Sequence, residues 1–235
     1  MSEVDRLKRD AAERALDFVE DGMVLGLGTG STVRHLLELL AERRKAGALR
    51  RVIGVPTSRA TEWLARELGL RISSLEQEPR VDLTIDGADE VDPQLNLIKG
   101  LGGALLWEKI VASASERLLI VADEAKLVAR LGERAPLPVE VVPFGWNTHL
   151  AFLDNLGAEP MLRLSANGSP FLTDSGHYLI DCHFPHGITE PIRLQRELRQ
   201  HAGVVESGLF LGLADAVVVA GLSGTRVLRP EGVSG

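Results

Sequence analysis

Acidic and basic side chains are concentrated in one short stretch of the sequence, DGADEVDPQLNLIKGLGGALLWEK. It contains two carboxylates in one turn (Asp86 and Asp89), a lysine before a glycine-rich loop (Lys99) and an adjacent acid–base pair (Glu108 and Lys109). Carboxylates can move protons and a lysine can stabilise negative charge, so this set suits general acid–base chemistry on a small ligand. The alternative is ordinary turn chemistry followed by a solvated helix face.

The apolar, β-branched run VDLTI precedes Asp86 and predicts a buried strand that ends at the carboxylates. Open α/β sheets bind ligands beyond the carboxyl ends of their strands, so Asp86 is expected at a binding edge. The glycines of KGLGG allow the backbone to approach a ligand closely, and the helical pattern of ALLWEKIVASA follows them. Loop amides and a helix N-terminus are therefore expected to face an anion, with Glu108 on the first helical turns facing the same mouth as Asp86.

A second glycine-rich turn, GLGTGST, lies between a predicted strand and a predicted helix near the start of the chain. It presents backbone N–H groups and the hydroxyls of Thr29, Ser31 and Thr32 to an anion. A dinucleotide fingerprint needs a sixth-position glycine, but Ser31 or Val33 stands there, and the Gly-Lys of a Walker loop is absent. The turn therefore favours a small phosphate group over a nucleotide, with a purely structural turn as the alternative.

The segment RVIGVPTSRATEWLARELG repeats the order of strand, turn and helix. Thr57 and Ser58 in this turn are equally consistent with ligand contacts and with helix capping. The helix is predicted to turn Trp63, Leu64 and Leu68 inward. The run LRISSL that follows is predicted to be a strand.

Composition and charge exclude several classes of protein. The 235 residues are 45% hydrophobic and 25% charged, which is typical of a folded globular chain. A formal net charge of −7 without a long basic cluster argues against nucleic-acid binding. Neither a signal peptide nor a membrane span is recognisable, so a cytoplasmic protein is expected. A phosphorylated ligand would need local positive charge, for which Lys99 and Lys126 are the candidates.

Metal and thiol chemistry are not predicted. The six histidines are scattered without metal-ligand spacing, and Asp86 and Asp89 form a close carboxylate pair in the acid–base stretch. The single cysteine, Cys182, lies in the alternating segment YLIDCHF, which predicts a half-buried strand residue rather than a nucleophile. No metal and no cofactor are therefore expected.

The order of elements predicts the architecture. Successive strand–helix units up to about residue 130 predict a parallel sheet with helices on both faces. The proline-rich APLPVEVVPFG marks a boundary, after which hairpin-like strands and two helices predict a small α+β domain. Short apolar strands near the end are expected to rejoin the first sheet. The predicted domains are 1–130 with 205–235, and 131–204.

Seven motifs in order closely resemble ribose-5-phosphate isomerases of the A type, over nearly the whole chain. They are GLGTGST (26–32), PTSRAT (56–61), DGADE (86–90), KGLGGALLWEK (99–109), VADEAK (121–126), PLPVEVVP (136–143) and VVESGLFLGLAD (204–215). The resemblance implies a Rossmann-like domain with a smaller ferredoxin-like domain, and the interconversion of D-ribose 5-phosphate and D-ribulose 5-phosphate. It also implies a sugar phosphate as the only partner apart from other subunits, no cofactor or metal, and a homodimer or a tetramer of dimers.

The resemblance also assigns residues. Glu108 matches the proton acceptor, while Asp86, Asp89 and Lys99 surround the reacting end of the sugar. The substrate-binding set is Thr29, Gly30, Ser31, Thr32, Asp86, Gly87, Ala88, Asp89, Lys99, Gly100, Leu101, Gly102 and Lys126. Trp107 stands where a polar residue often precedes the Glu-Lys pair, and Ala125 where a serine often precedes the lysine. Both departures concern the rim of the pocket.

The chemistry of such an isomerisation agrees with these residue types. One carboxylate, here Glu108, can take a proton from one carbon and return it to the next through a cis-enediolate. Lys99 and loop amides could stabilise the enediolate, and Asp86 could move the hydroxyl proton and assist ring opening. Two other classes are a sugar-phosphate-sensing module of a transcriptional regulator and a nucleotide-dependent oxidoreductase. The short segment before the first strand disfavours the former, and the missing glycine disfavours the latter.

Overall fold

The computed structural model describes residues 2–230. The α-helices are α1 (Glu3–Ala15), α2 (Ser31–Lys45), α3 (Arg59–Glu67), α4 (Leu105–Ser113), α5 (Thr148–Asn155) and α6 (Pro191–Gln200), and 3-10 helices cover Leu16–Phe18 and Glu124–Lys126. The strands are β1 (Val24–Leu27), β2 (Ile53–Pro56), β3 (Leu83–Gly87), β4 (Glu90–Val91), β5 (Leu97–Ile98), β6 (Leu118–Asp123), β7 (Leu137–Val141), β8 (Glu159–Leu162), β9 (Tyr178–His183), β10 (Val204–Ser207), β11 (Leu209–Phe210), β12 (Ala216–Gly221) and β13 (Gly224–Leu228).

The chain divides into two compact units. The first contains the chain up to Ala88, Trp107–Lys126 and the chain from Leu213 onward, and the second contains Asp89–Leu106 and Leu127–Gly212. The domain limits predicted from the sequence place segments 89–106, 127–130 and 205–212 in the main domain. The compact units assign all three segments to the second, where β5 of the first segment pairs with β11 of the last.

The first unit is built on a six-stranded sheet with the order β13-β12-β6-β3-β1-β2. All neighbouring strands are parallel except β13, which forms an antiparallel hairpin with β12. The successive strand–helix units explain the parallel pairing, because a parallel neighbour requires a crossover connection. Of the strands near the end of the chain, β12 and β13 belong to this sheet as predicted, whereas β11 pairs with β5 in the second unit.

Side chains of the central strands alternate between two helical layers. Leu25 and Leu27 of β1 belong to the core formed with α1 and α2. Gly26 faces the opposite side, where a side chain on it would collide with Val111 of α4. The period of two along a strand produces this alternation. The predicted α/β sheet with helices on both faces is confirmed.

The second unit contains two small antiparallel sheets, with the orders β10-β7-β9-β8 and β11-β5-β4. Its core joins Val139 and Ile180 of the larger sheet to Leu153 of α5 and Leu198 of α6. The predicted small α+β unit is confirmed. Across residues 2–230, none of the helices is both long and apolar enough to cross a membrane.

Two local predictions were wrong. Trp63 is 65% exposed, because α3 buries the face that carries Thr61 and Ala65, and Trp63 lies two positions away on the other side of the helix. The run LRISSL forms no strand and contributes only an isolated bridge between Ile72 and Gly54. Leu64 and Leu68 pack against the core as predicted.

Candidate active site

In the first unit, three predicted site segments follow neighbouring strands. The turn at residues 28–32 follows β1, Asp86 is the penultimate residue of β3, and Lys126 follows β6. These strands are adjacent and parallel in the sheet. Their carboxyl ends therefore meet at one edge, which is where open α/β sheets bind ligands.

Asp86 connects the two loops at this edge. Its Oδ1 accepts hydrogen bonds from the backbone N–H of Thr29 (3.1 Å) and of Gly87 (2.7 Å), and the residue is only 1% exposed. A Cβ on Gly28 would overlap the Asp86 side chain. Glycine at position 28 therefore allows the carboxylate to lie against the turn, and the carboxylate fixes the conformation of the turn.

The hydroxyl of Thr29 lies in a group of buried hydroxyls. Its Oγ1 is 2.8 Å from the hydroxyl oxygens of Thr57 and Ser58 and 3.2 Å from that of Thr61. Thr61 in turn donates to the carbonyl oxygen of Gly28 (2.8 Å). Ser58 is the N-cap of α3, since its hydroxyl accepts from the backbone N–H of Thr61 (3.1 Å). This group anchors the glycine-rich turn to the start of α3.

The rest of the turn forms the N-terminus of α2. Gly30 is the N-cap residue and has a φ of 124°, a backbone conformation that residues other than glycine rarely adopt. Gly30 and Ser31 are exposed, and Thr32 is half-buried. The backbone N–H groups and the dipole of a long helix are thus accessible to an anion at the ligand-binding edge.

Glu108 faces the sheet from α4. Val111, three residues later, packs at Gly26, and Ser115 Oγ lies 2.6 Å from Thr84 Oγ1 on β3. The helix ends beside the start of β3, so its earlier turns lie toward the carboxyl end of that strand. Asp86, two residues after Thr84, points to the same face.

The Glu108 carboxylate therefore lies on the Asp86 side of the sheet, toward the same edge. Glu108 is 4% exposed. The alternative of a solvated helix face is excluded for this residue.

Lys126 ends a short 3-10 helix that begins immediately after β6. Asp123 Oδ1 accepts a hydrogen bond from the backbone N–H of Ala125 (3.0 Å), which turns the chain at the strand end. Lys126 is half-buried and Ala125 is exposed. The alanine at this departure from the family pattern takes part in the turn through its backbone N–H.

The second unit holds Asp89, Lys99 and the glycine loop. The β4–β5 hairpin pairs Glu90 with Ile98, so that Asp89 and Lys99, which flank the paired residues, lie opposite each other. Asp89 Oδ2 accepts from the backbone N–H of Leu101 (2.9 Å). Lys99 is 2% exposed, and its Nζ lies 5.4 Å from the centre of the Phe210 ring.

Glu90 has a structural role that the sequence did not suggest. Its buried carboxylate accepts hydrogen bonds from the backbone N–H groups of Gly132 (2.6 Å), Arg134 (2.6 Å) and Ala135 (2.7 Å). These contacts join the DGADE motif to a loop more than forty positions later. Nothing in the sequence around Glu90 distinguishes it from Asp86 and Asp89.

The remaining candidates for chemistry are the single cysteine and groups of side chains that could bind a metal. Cys182 is fully buried in β9, and burial raises the pKa of its thiol, which keeps it protonated and unreactive. Within residues 2–230, no group of three or more His, Cys, Asp or Glu side chains is arranged to hold a metal ion.

The family that the motifs suggested is found by direct comparison. Residues 53–224 match the family described as ribose 5-phosphate isomerase A (phosphoriboisomerase A). The chain belongs to this family. The ribose-5-phosphate isomerase A of Gloeobacter violaceus is 54% identical over 97% of this chain and 98% of its own length. A probable chloroplastic ribose-5-phosphate isomerase 3 of Arabidopsis thaliana is 45% identical over 95% of this chain and 83% of its own.

Solved isomerase structures share the fold over almost all of the chain. A D-ribose-5-phosphate isomerase in complex with phospho-erythronic acid has a TM-score of 0.94 at 42% identity and covers 97% of this chain and 100% of its own. The enzyme of Plasmodium falciparum has a TM-score of 0.92 at 37% identity, covering 97% and 99% of the two chains. The resemblance inferred from the motifs is confirmed.

Proposed function

We propose that this chain is an aldose–ketose isomerase that interconverts D-ribose 5-phosphate and D-ribulose 5-phosphate, a reaction of the pentose phosphate pathway, with Glu108 as the base. Membership of the ribose 5-phosphate isomerase A family supports the reaction. The observation that carries the mechanism is the burial of the Glu108 carboxylate on the Asp86 side of the sheet. A buried carboxylate at a ligand-binding edge suits a proton carrier.

The proposed reaction is a proton transfer between neighbouring carbons. Glu108 removes the proton from C2 of the open-chain aldose, and the electron pair of that bond forms the C1–C2 double bond of a cis-enediolate. The hydroxyl proton of O2 passes to O1, assisted by Asp86. Glu108 then returns its proton to C1, which leaves the carbonyl at C2. Lys99 and loop amides stabilise the enediolate oxygens, where negative charge develops.

The direct test is an assay with ribose 5-phosphate and no added cofactor, in the presence of a chelator. We expect ketose to accumulate to an equilibrium mixture with the aldose. A sugar-phosphate-sensing module would bind the sugar without converting it, and an oxidoreductase would require a nicotinamide. Absence of ketose from a folded, sugar-binding protein would contradict the proposal.

Activity is expected to survive exhaustive treatment with EDTA. Proton transfer by a carboxylate needs no Lewis acid when a lysine and amides stabilise the enediolate. The measurement is kcat before and after chelation, followed by addition of Mg²⁺, Mn²⁺ or Zn²⁺. Loss of turnover that a divalent ion restores would instead indicate a metal bound by Asp86 and Asp89.

The phosphate is expected to be held without an arginine, by amides and hydroxyls of the residue 29–32 turn or of the KGLGG loop, with a lysine nearby. If the turn is the site, Thr32→Val should raise KM by roughly tenfold or more, since a hydrogen bond to a charged group contributes about 1.5–3 kcal/mol. Arg34→Gln, on the exposed surface of the same helix, is the matched control and should leave KM nearly unchanged. A ligand complex in which Arg34 or Arg59 clamps the phosphate would contradict this prediction.

The same proposal includes a cytoplasmic homodimer, or a tetramer of dimers, without a nucleic-acid partner. The family resemblance supports the assembly, and the net charge of −7 supports the absence of nucleic acid. Sedimentation velocity of the purified protein measures the assembly, and a monomer at micromolar concentration would contradict it.

A further inference from the structure

The KGLGG loop in the second unit is held by an arginine that lies far from it in the sequence. Arg163, immediately after β8, directs its Nη1 at two successive loop carbonyls, those of Gly100 (3.2 Å) and Leu101 (2.9 Å). Hydrogen bonds from a charged guanidinium are stronger than those between neutral groups. Arg163 therefore fixes the orientation of two consecutive peptide groups in the loop.

Asp181 in turn fixes Arg163. It lies on β9, where it pairs across the sheet with Met161 of β8. Its carboxylate accepts from Nε of Arg163 (2.8 Å) and also from Nη2. The two side chains are only 13% and 25% exposed. This two-point contact holds the guanidinium plane and leaves Nη1 directed at the loop.

The two carbonyl contacts also determine where the loop amides point. In a trans peptide the C=O and N–H groups point in opposite directions. Because Arg163 takes the carbonyls of Gly100 and Leu101, the N–H groups of Leu101 and Gly102 are directed away from it. The N–H of Leu101 accordingly donates to Asp89 Oδ2 at 2.9 Å.

The loop backbone is closed by one internal hydrogen bond, from the N–H of Gly103 to the carbonyl oxygen of Gly100 (3.0 Å), and depends on glycine conformations. Gly100 and Gly103 have φ values of 101° and 85°, in the region that glycine alone enters readily. Glycine-rich segments also have the largest conformational freedom to lose. On the Gly103 side, the ring of Phe171 occupies the space that a Cβ would need, and Arg163 lies 5.8 Å above this ring. Arg163 and Phe171 thus pack against each other and both contact the loop, Arg163 at Gly100 and Leu101 and Phe171 at Gly103.

We propose that Arg163, oriented by Asp181, is a positioning residue for the isomerisation. It holds the loop after Lys99 so that Asp89, whose carboxylate accepts from the Leu101 N–H, and the Gly102 amide are oriented before the sugar binds. This role rests on the proposed function, because the Gly102 amide is one of the loop amides that would stabilise the enediolate. Arg163 itself does not contact the reacting atoms.

The test uses steady-state isomerisation by the full chain carrying Arg163→Gln, Arg163→Lys or Asp181→Asn. Misplacement of reacting groups by about 1 Å can cost roughly 10²-fold, so Arg163→Gln should lower kcat by about 10- to 100-fold. Because the loop amides are proposed to act on charge that develops in the transition state, the loss should appear mainly in kcat, and KM should change less. Lysine keeps the positive charge but lacks the planar guanidinium with its several N–H donors. The kcat of Arg163→Lys should therefore lie between those of Arg163→Gln and the wild type. Asp181→Asn should lower kcat less than Arg163→Gln does. A double variant that combines Arg163→Gln with Asp181→Asn should be no slower than Arg163→Gln alone, because Asp181 acts through Arg163.

The matched control is Arg193→Gln, which removes an exposed arginine paired with Glu197 on α6 and should leave kcat unchanged. All rates are normalised to the folded fraction from circular dichroism. If Arg163→Gln fails to fold, Arg163→Lys decides: a folded variant with reduced kcat supports the role. Unchanged kcat per folded molecule, or failure of all three variants to fold, would overturn it, since either result assigns Arg163 to stability alone. An inactive wild-type protein would instead contradict the proposed function.

Discussion

Replacing Glu108 with glutamine is expected to lower kcat by roughly 10⁴-fold or more, at or beyond the upper end of the range for a positioned general base. Glutamine keeps the size and hydrogen bonding of the side chain but cannot accept a proton from carbon. Binding should weaken far less, because the phosphate is held elsewhere. The measurements are turnover and the increase in Tm caused by ribose 5-phosphate.

The control for this substitution is Glu116→Gln. Glu116 follows the same helix but is exposed and pairs with Arg80 on the surface at 2.9 Å. Exposed ion pairs contribute little, so this variant should isomerise normally. An inactive Glu108→Gln protein that ribose 5-phosphate still stabilises would support the assignment. Near-normal turnover of that variant would contradict it.

Replacing Lys99 with methionine is expected to lower kcat by roughly 10²–10³-fold, the usual loss when one stabilising group at a developing oxyanion is removed. Methionine keeps an apolar stem that suits the buried position beside Phe210 but carries no charge. The effect should appear in kcat rather than in KM, because the negative charge that Lys99 stabilises develops only in the transition state.

Lys45→Met, at the exposed C-terminal end of α2, is the matched control for the loss of one lysine. It should change neither kcat nor KM. Thermal unfolding of both variants separates a catalytic effect from loss of structure. A folded Lys99→Met protein with kcat within threefold of the wild type would remove Lys99 from the mechanism.

The sequence predicted those features that depend on local patterns. Asp86 could be placed at a strand end because the β-branched run before it and the turn after it are contiguous. The glycine-rich turn before α2 was recognised for the same reason. In both cases the structure adds a contact that the pattern does not contain, the hydrogen bond from the Thr29 backbone to the Asp86 carboxylate.

Features that depend on distant pairing could not be predicted. Arg163 and Gly100 meet only because β8 and the loop belong to the same folded unit, and no local signal marks this arginine. Glu90 resembles its neighbours in sequence but serves to anchor a loop through Gly132. The error at Trp63 had a different cause, since a short helix whose two large apolar residues, Trp63 and Leu64, are adjacent allows more than one choice of buried face.

The central claim is that the Glu108 carboxylate carries a proton between C2 and C1 of the sugar. The most direct measurement is proton NMR of ribose 5-phosphate in D₂O, following the C2 hydrogen with the wild-type protein and with Glu108→Gln at equal folded concentration. We expect the wild type to introduce solvent deuterium into the sugar as aldose and ketose equilibrate, because a proton on a carboxyl group can exchange with water before it is returned. The variant should leave the C2 hydrogen in place. Loss of that hydrogen at the wild-type rate in Glu108→Gln would contradict the account.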